Sequence, residues 1–187
     1  MGGLTEHVFG YGSLAGDLAL AGRIARLAGY RRVWGVAADN AHAIPGYKQY
    51  RLRSDGSVPA VFVAFLDIVE DVEQCVNGVV APVDGDLLAE LDRRERNYDR
   101  IDVTAAIDSA VDGRVWTYVG SSDGRTRHAN GLAHDRLAIS RDYLASVDSA
   151  FRSLGEAEHA HFLASSVLDG VPVLDLDRVD LPHEPAR

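Results

Sequence analysis

Apolar and polar positions change their spacing several times along the chain, and each change predicts an element. "EHVFGY" at 6–11 is a short apolar run closing on a glycine turn and predicts a strand. In the following "LAGDLALAGRIARLAGY", Leu18, Ala21, Ile24, Ala25 and Ala28 recur near helical period and predict a helix. "RRVWGVAA", "VPAVFVAFLDI" and "VNGVVAPV" predict strands, the first two separated by the loop-like "DNAHAIPGYKQYRLRSDGS". "DGDLLAELDRRERN" predicts a helix with aspartates at its start, "YDRIDVTAAI" and "GRVWTYVG" two more strands, and "SSDGRTRHANG" a polar loop. From Ser140 to about Leu168 the pattern is helical, with Ser140 and Asp142 as N-cap and first turn. The tail from about residue 171, ending "DRVDLPHEPAR", is polar and proline-bearing and predicts a loosely held end. With no internal repeat and no long linker, residues 1–187 read as a single α+β domain.

Composition narrows the function. The chain has 187 residues, 47% of them apolar, enough for a real core. Its longest apolar stretch, "VPAVFVAFL", is too short to cross a bilayer, and "MGGLTEH" lacks the marks of a signal peptide, so no membrane partner is expected. The one cysteine, Cys75, reads as a small apolar filler in a reducing, cytoplasmic setting. A net charge of -9 argues against a nucleic-acid surface. Lys48 is the only lysine, which excludes a Walker-type phosphate loop and leaves one candidate for Schiff-base chemistry.

Two stretches carry candidate chemistry. "VFGYGSLAG" at 8–16 fits a dinucleotide cradle, a serine nucleophile or a backbone anion site. "GYGSLA" matches G-x-G-x-x-A, and a later strand ends in Asp39; yet Asp39 lies nearly thirty residues beyond Gly10, and strands after residue 58 follow one another without helices between them. G-x-S-x-G needs glycines where Tyr11 and Ala15 stand. Amides of a glycine turn converging on a carboxylate are the third reading, beside a tight turn with no ligand. In "DLLAELDRRERNYDRIDV", Leu87, Leu88 and Leu91 form an apolar stripe and Glu95 projects between Leu88 and Leu91. Glu95 is then either a helix end lifting into solvent or a desolvated general base. Glu90 with Arg94 and Asp92 with Arg96 have the spacing of surface ion pairs.

"FGYGSL", "VNGVVAPV" leading into "LLAELDRRE", "YDRIDV", "VWTYVG" and "ISRDYLASVDSAFRSLG" together resemble the γ-glutamylcyclotransferase superfamily in content and order, from about residue 7 to 155. The resemblance implies a compact mixed sheet or small barrel flanked by helices, and an enzyme that releases an amine or amino acid from a γ-glutamyl compound while forming 5-oxoproline. It implies Glu95 as the general acid/base, Tyr11, Gly12, Ser13 and Leu14 as the loop binding the γ-glutamyl group, and Tyr98 and Tyr118 as pocket tyrosines. The reaction calls for no metal and no organic cofactor; the partner is a small-molecule γ-glutamyl substrate, with glutathione among the candidates, and a homodimer is left open. Only two residues separate Glu95 from Tyr98, tighter than in the mammalian branch, and residues 50–75 and the C-terminus after 155 fall outside the resemblance. A non-catalytic carboxylate-binding or regulatory module of the same fold is the alternative, and a dinucleotide-dependent oxidoreductase the third.

The remaining features have plain readings. His159 and His161 do not share a helix face and argue against a metal site. Arginines 23, 26, 31 and 32 are expected to solvate a helix face and the next strand, and Trp34 and Trp116 to be core.

Overall fold

Two long strands carry the architecture in the computed structural model, which describes residues 5–182. β2 (Arg23–Asp39) and β4 (Phe62–Val83) run antiparallel for most of their length, with register shifts between Ala28 and Tyr30 and between Trp34 and Val36. β1 (Glu6–Gly10) pairs antiparallel with the C-terminal end of β4 and parallel with β6 (Arg114–Gly120); β5 (Tyr98–Asp102) closes that side against β6. At the other end of β4, β7 (Leu137–Ser140) adds in parallel and β8 (Val173–Leu174) beyond it. The result is a seven-stranded mixed sheet, ordered β5-β6-β1-β4-β7-β8 with β2 beside β4. β3 (Lys48–Leu52) and β9 (Leu176–Asp180) form a separate antiparallel ribbon.

The helices lie against this frame: α1 (Ser13–Leu18), α2 (Gly85–Arg94), α3 (Ser122–Ala133), α4 (Arg141–Ser153) and α5 (Glu156–Ser165). Phe9, Leu27, Ile68 and Ile139 from the sheet and Phe151 and Phe162 from α4 and α5 are fully buried in the main core. A second apolar cluster of Val36, Val63, Phe65, Tyr50 and Leu176 fastens the β3–β9 ribbon to the sheet. No helix among the described residues is long and apolar enough to cross a membrane.

Several expectations need correction. The helix expected through residue 30 stops at Leu18, and Ile24, Ala25 and Ala28 belong to β2. Their helical spacing is overridden by pairing with β4, whose period of two buries Ala25 and Leu27 instead. "FVAFLDI" of the first run and all of "VNGVVAPV" belong to one 22-residue strand, and residues 58–61 precede it. The charged centre that separates them in sequence projects from the core with Val72 93% exposed, so both faces there meet water. The loop-like "DNAHAIPGYKQYRLRSDGS" contains β3, and the polar loop after Gly120 is α3. Gly124 and Gly131 are poor helix formers, but a side chain at either would strike Asn97 O or Phe62 Cβ, so they let α3 lie close on the sheet. Ser140 precedes α4 without a side-chain cap bond. The tail expected to be loose forms β8 and β9, held by Leu176, which is 1% exposed; its residues 183–187 lie outside the described residues. An antiparallel β1–β4 pairing replaces the βαβ unit a dinucleotide fold requires, which removes the oxidoreductase reading.

Candidate active site

The glycine turn lies between the end of β1 and the start of α1. A Cβ on Gly10 would fall 2.8 Å from Ala15 N and from the Leu14 carbonyl carbon, because the turn doubles back on itself. On Gly12 it would make an ordinary contact, 3.5 Å from the Tyr143 hydroxyl. Ala15 N–H donates to Gly12 O at 3.0 Å and no side chain caps α1, so the Ser13 and Leu14 amides have no intrahelical acceptor.

Tyr11 turns inward. Its hydroxyl donates to Tyr118 O at 2.7 Å, and its carbonyl accepts from Arg32 Nε at 3.0 Å. Arg32, expected to be solvated, is 3% exposed. It donates further to Asn77 O and Ser165 Oγ, both at 2.6 Å, and lies over the stacked rings of Phe151 and Phe162. Burial pushes its guanidinium down to about 9. A buried cation thus anchors the backbone of the turn.

Glu95 is the C-cap of α2. Asp84 starts that helix by accepting from Leu87 N at 2.8 Å, and Leu88 and Leu91 seat it on the core, whereas Leu87, expected on the same stripe, is exposed. The Glu95 side chain is 21% exposed and accepts from Arg94 Nε at 3.0 Å. Arg94 also reaches Asp17 of α1 at 2.9 Å, while Asp92 pairs with Arg100; the two i,i+4 pairs read from the sequence do not form. The short Glu95-to-Tyr98 connection is a turn in which Tyr98 N–H donates to Glu95 O at 2.9 Å. Buried Asn97 braces it, accepting from Arg127 at 2.9 Å and donating to the Tyr47 hydroxyl at 3.0 Å.

Tyr11, Gly12, Ser13, Leu14, Glu95, Tyr98 and Tyr118 all line one narrow pocket of about 40 Å³. Phe9, Gly10, Leu66 and Tyr143 complete its wall, and it adjoins an open cavity of about 670 Å³ that shares Ser13, Glu95, Tyr98 and Tyr143 with it. Residues 50–75, outside the resemblance, supply part of both walls through Tyr50, Phe65 and Leu66. Burial raises the phenols of Tyr11, Tyr98, Tyr118 and Tyr143, which therefore act as neutral donors. Three of these hydroxyls are spent within the protein: Tyr11 on Tyr118 O, Tyr98 on Leu66 O at 2.7 Å, and Tyr118 on Asp92 Oδ1 at 2.9 Å. Tyr98 and Tyr118 thus offer the pocket their rings.

Sequence reasoning missed two residues. Tyr143, on α4, packs edge-on against Phe65 and Trp34; its oxygen receives only a 3.4 Å contact from Leu66 N, and its O–H finds no acceptor among the described residues. It lies inside "ISRDYLASVDSAF", a stretch read from the sequence only as helical, which gives no sign that this tyrosine faces a pocket. Lys48, singled out in the sequence only as the one lysine and a Schiff-base candidate, lines the larger cavity with its ammonium 4.0 Å from the centre of the Phe65 ring. His159 pairs with Asp148 at 2.6 Å and His161 contacts Cys75 O at 3.3 Å, so the two serve different partners. Among the described residues no cluster of three or more His, Cys, Asp or Glu side chains could hold a metal ion.

A family model described as γ-glutamyl cyclotransferase, AIG2-like, matches residues 8–138. No curated protein matches the chain. Among solved structures, the fold is similar to that of YkqA from Bacillus subtilis, at 13% identity and a TM-score of 0.59, over 90% of this chain and 56% of that one. The chain thus spans little more than half the length of that relative. It is also similar to a structure described as a γ-glutamyl cyclotransferase, at 14% identity and a TM-score of 0.54, over 86% and 88% of the two chains. An uncharacterised protein from Homo sapiens is similar at 15% identity and a TM-score of 0.51, over 87% and 89%. At such identities these three likenesses show the fold alone.

Proposed function

The chain belongs to the γ-glutamyl cyclotransferase, AIG2-like family, and from that premise we propose that it releases an amine or amino acid from a γ-glutamyl compound by closing the glutamyl part into 5-oxoproline. The observation that carries this reading is the convergence of Glu95 and the Tyr11–Leu14 turn on one pocket.

In such a reaction the substrate supplies its own nucleophile. The α-amino nitrogen attacks the γ-carbonyl carbon, a new C–N bond closes the five-membered ring, and the original amide C–N bond breaks. The protein must bend the glutamyl chain, remove a proton from the α-ammonium and return one to the departing nitrogen. Glu95 performs both transfers, oriented by its bond to Arg94. The unmet Ser13 and Leu14 amides bind the glutamyl carboxylate or the oxygen on which charge develops. Tyr143 adds the free hydroxyl donor, while the rings of Tyr98 and Tyr118 exclude water from the folded chain. Ser13 contributes its amide, not a nucleophile.

Incubation with a panel of γ-glutamyl amino acids, peptides and amines, followed by chromatographic detection of 5-oxoproline, tests the proposal. Turnover is expected on at least one member and is lost, by about a hundredfold or more, in a folded Glu95→Gln protein. Absence of 5-oxoproline from the whole panel would sink the catalytic reading, and binding of a glutamyl compound without turnover would favour the non-catalytic module.

A further inference from the structure

The charge of the larger cavity bears on what leaves. Its walls carry five cationic side chains, Lys48, Arg93, Arg94, Arg96 and Arg178, and four acidic ones, Asp17, Glu95, Asp142 and Asp180. The wall is thus cationic in balance, in a chain of net charge -9. The pairing is more telling than the count. Every one of the acids has an arginine: Asp17 and Glu95 share Arg94 at 2.9 and 3.0 Å, Asp142 holds Arg53 at 2.7 Å, and Asp180 holds Arg178 at 2.7 Å.

Lys48 has no such partner among the described residues. Its position on β3 faces Asp180 of β9 in the ladder, but Asp180 pairs with Arg178, whose Nε and Nη2 both donate to Oδ1, and forms no ion pair with Lys48. The ammonium instead lies over Phe65, with the Tyr47 ring centre also within 5.6 Å, and both rings belong to the cavity wall. Two aromatic faces partly desolvate the charge without neutralising it. Burial, and the Arg178 charge beside it, push the ammonium down to about 8, while Glu95 pulls it back up, so it is mostly protonated at neutral pH. A half-buried cation with three N–H donors and no side-chain acceptor among the described residues is chemically suited to receive an anion.

We propose that the larger cavity holds the leaving group of the substrate and that Lys48 selects a leaving group bearing a carboxylate, that is, a γ-glutamyl amino acid or short peptide in preference to a γ-glutamylated polyamine. The inference rests on the cyclotransferase reading and adds to it the substrate class. Glu95 and Lys48 line one continuous space, so a substrate whose scissile amide is at Glu95 extends its departing half toward the ammonium. A cationic amine there would meet Lys48 and also Arg93 and Arg96 of the same cavity lining, neither of which has an acidic partner among the described residues.

The test compares γ-glutamyl-alanine, γ-glutamyl-alaninamide and γ-glutamyl-putrescine on wild type, Lys48→Met and Lys48→Arg. For the wild type, kcat/KM for the acid exceeds that for the amide by about tenfold or more, the scale of a charge-assisted hydrogen bond, and putrescine is the poorest leaving group. In Lys48→Met the acid-to-amide ratio collapses toward one; in Lys48→Arg it is largely kept, and thermal melts show that both variants fold. Equal rates on acid and amide, a preference for putrescine, or a ratio indifferent to Lys48→Met would overturn the inference. Binding of the three compounds to Glu95→Gln protein by calorimetry separates the two layers. If nothing is turned over but the acid still binds about tenfold more tightly than the amide in a Lys48-dependent way, the catalytic reading fails and the selectivity stands. If none of the three binds, the selectivity falls as well.

Discussion

Arg94 and Asp17 form an ion pair of 2.9 Å that joins the helix continuing from the glycine turn to the helix ending in Glu95. The same guanidinium donates through Nε to Glu95, so one side chain holds the Glu95 carboxylate and ties it to α1. The pair is solvent-accessible on both sides and contributes little to stability, about 0–1 kcal/mol. Its importance is geometric.

Arg94→Met should therefore separate position from stability. The variant is expected to melt within a few degrees of wild type, while kcat for 5-oxoproline formation falls about tenfold or more as the Glu95 carboxylate loses its fixed orientation. A kcat equal to wild type with an altered melt would assign Arg94 a structural role only.

The two glycines of the turn should respond differently to alanine. At Gly10 the methyl would strike the backbone of Leu14 and Ala15, and overpacking against main chain costs about 1–3 kcal/mol, readable by chemical denaturation. At Gly12 the methyl meets only ordinary contacts but occupies the pocket that Tyr143 and Glu95 line. Gly12→Ala should stay folded and lose about a hundredfold in kcat/KM through misplacement of the substrate. A fully active Gly12→Ala would mean that the glutamyl group does not approach the turn.

These contrasts also mark what the sequence made legible. The start of α2 at Asp84, β5, β6 and α4 were readable because a cap, an alternation or an apolar stripe each sat within a dozen residues. The full span of β2 and β4 was not, because their exposed midsections pair only with each other and carry charge where a buried strand would carry valine. α3 was hidden by Gly124 and Gly131, whose value lies in contacts with Asn97 and Phe62 that no local pattern records. The same holds for the candidate site. Glu95 and the turn were visible as motifs, but Lys48 and Tyr143 acquire a role only because β3 and α4 are folded against Phe65.

Tyr143→Phe isolates the free hydroxyl. The ring contacts with Phe65 and Trp34, at 5.0 and 6.0 Å between centres, survive the change, so stability should hold. Loss of one donor to a developing charge predicts a decrease of about tenfold in kcat/KM for any γ-glutamyl substrate. An unchanged rate would restrict Tyr143 to packing.

The ammonium of Lys48 gives the pH dependence a definite sign. It faces Arg178 and Asp180 on β9 and Glu95 and Arg94 on α2, with the phenol of Tyr47 beside it. With its folded value at about 8, below the ordinary 10.5, the group is charged below pH 8 and neutral above it. Between those two values the unfolded chain binds more protons than the folded one, so Lys48 contributes a gain in stability as pH rises through the window and a desolvation penalty below it. Selectivity should move the other way. The preference for a carboxylate-bearing leaving group is present below pH 8 and is lost as pH rises through it, while the protein itself becomes no less stable on this group's account. A Lys48→Arg protein, whose guanidinium stays charged far above that range, should keep its preference to pH 9 and beyond. Measuring the ratio of kcat/KM for γ-glutamyl-alanine and its amide from pH 6 to 9.5 checks this, since dividing the two rates cancels any pH effect on the chemistry that both substrates share. A ratio flat with pH in the wild type, or falling identically in Lys48→Arg, would place the anion receptor elsewhere.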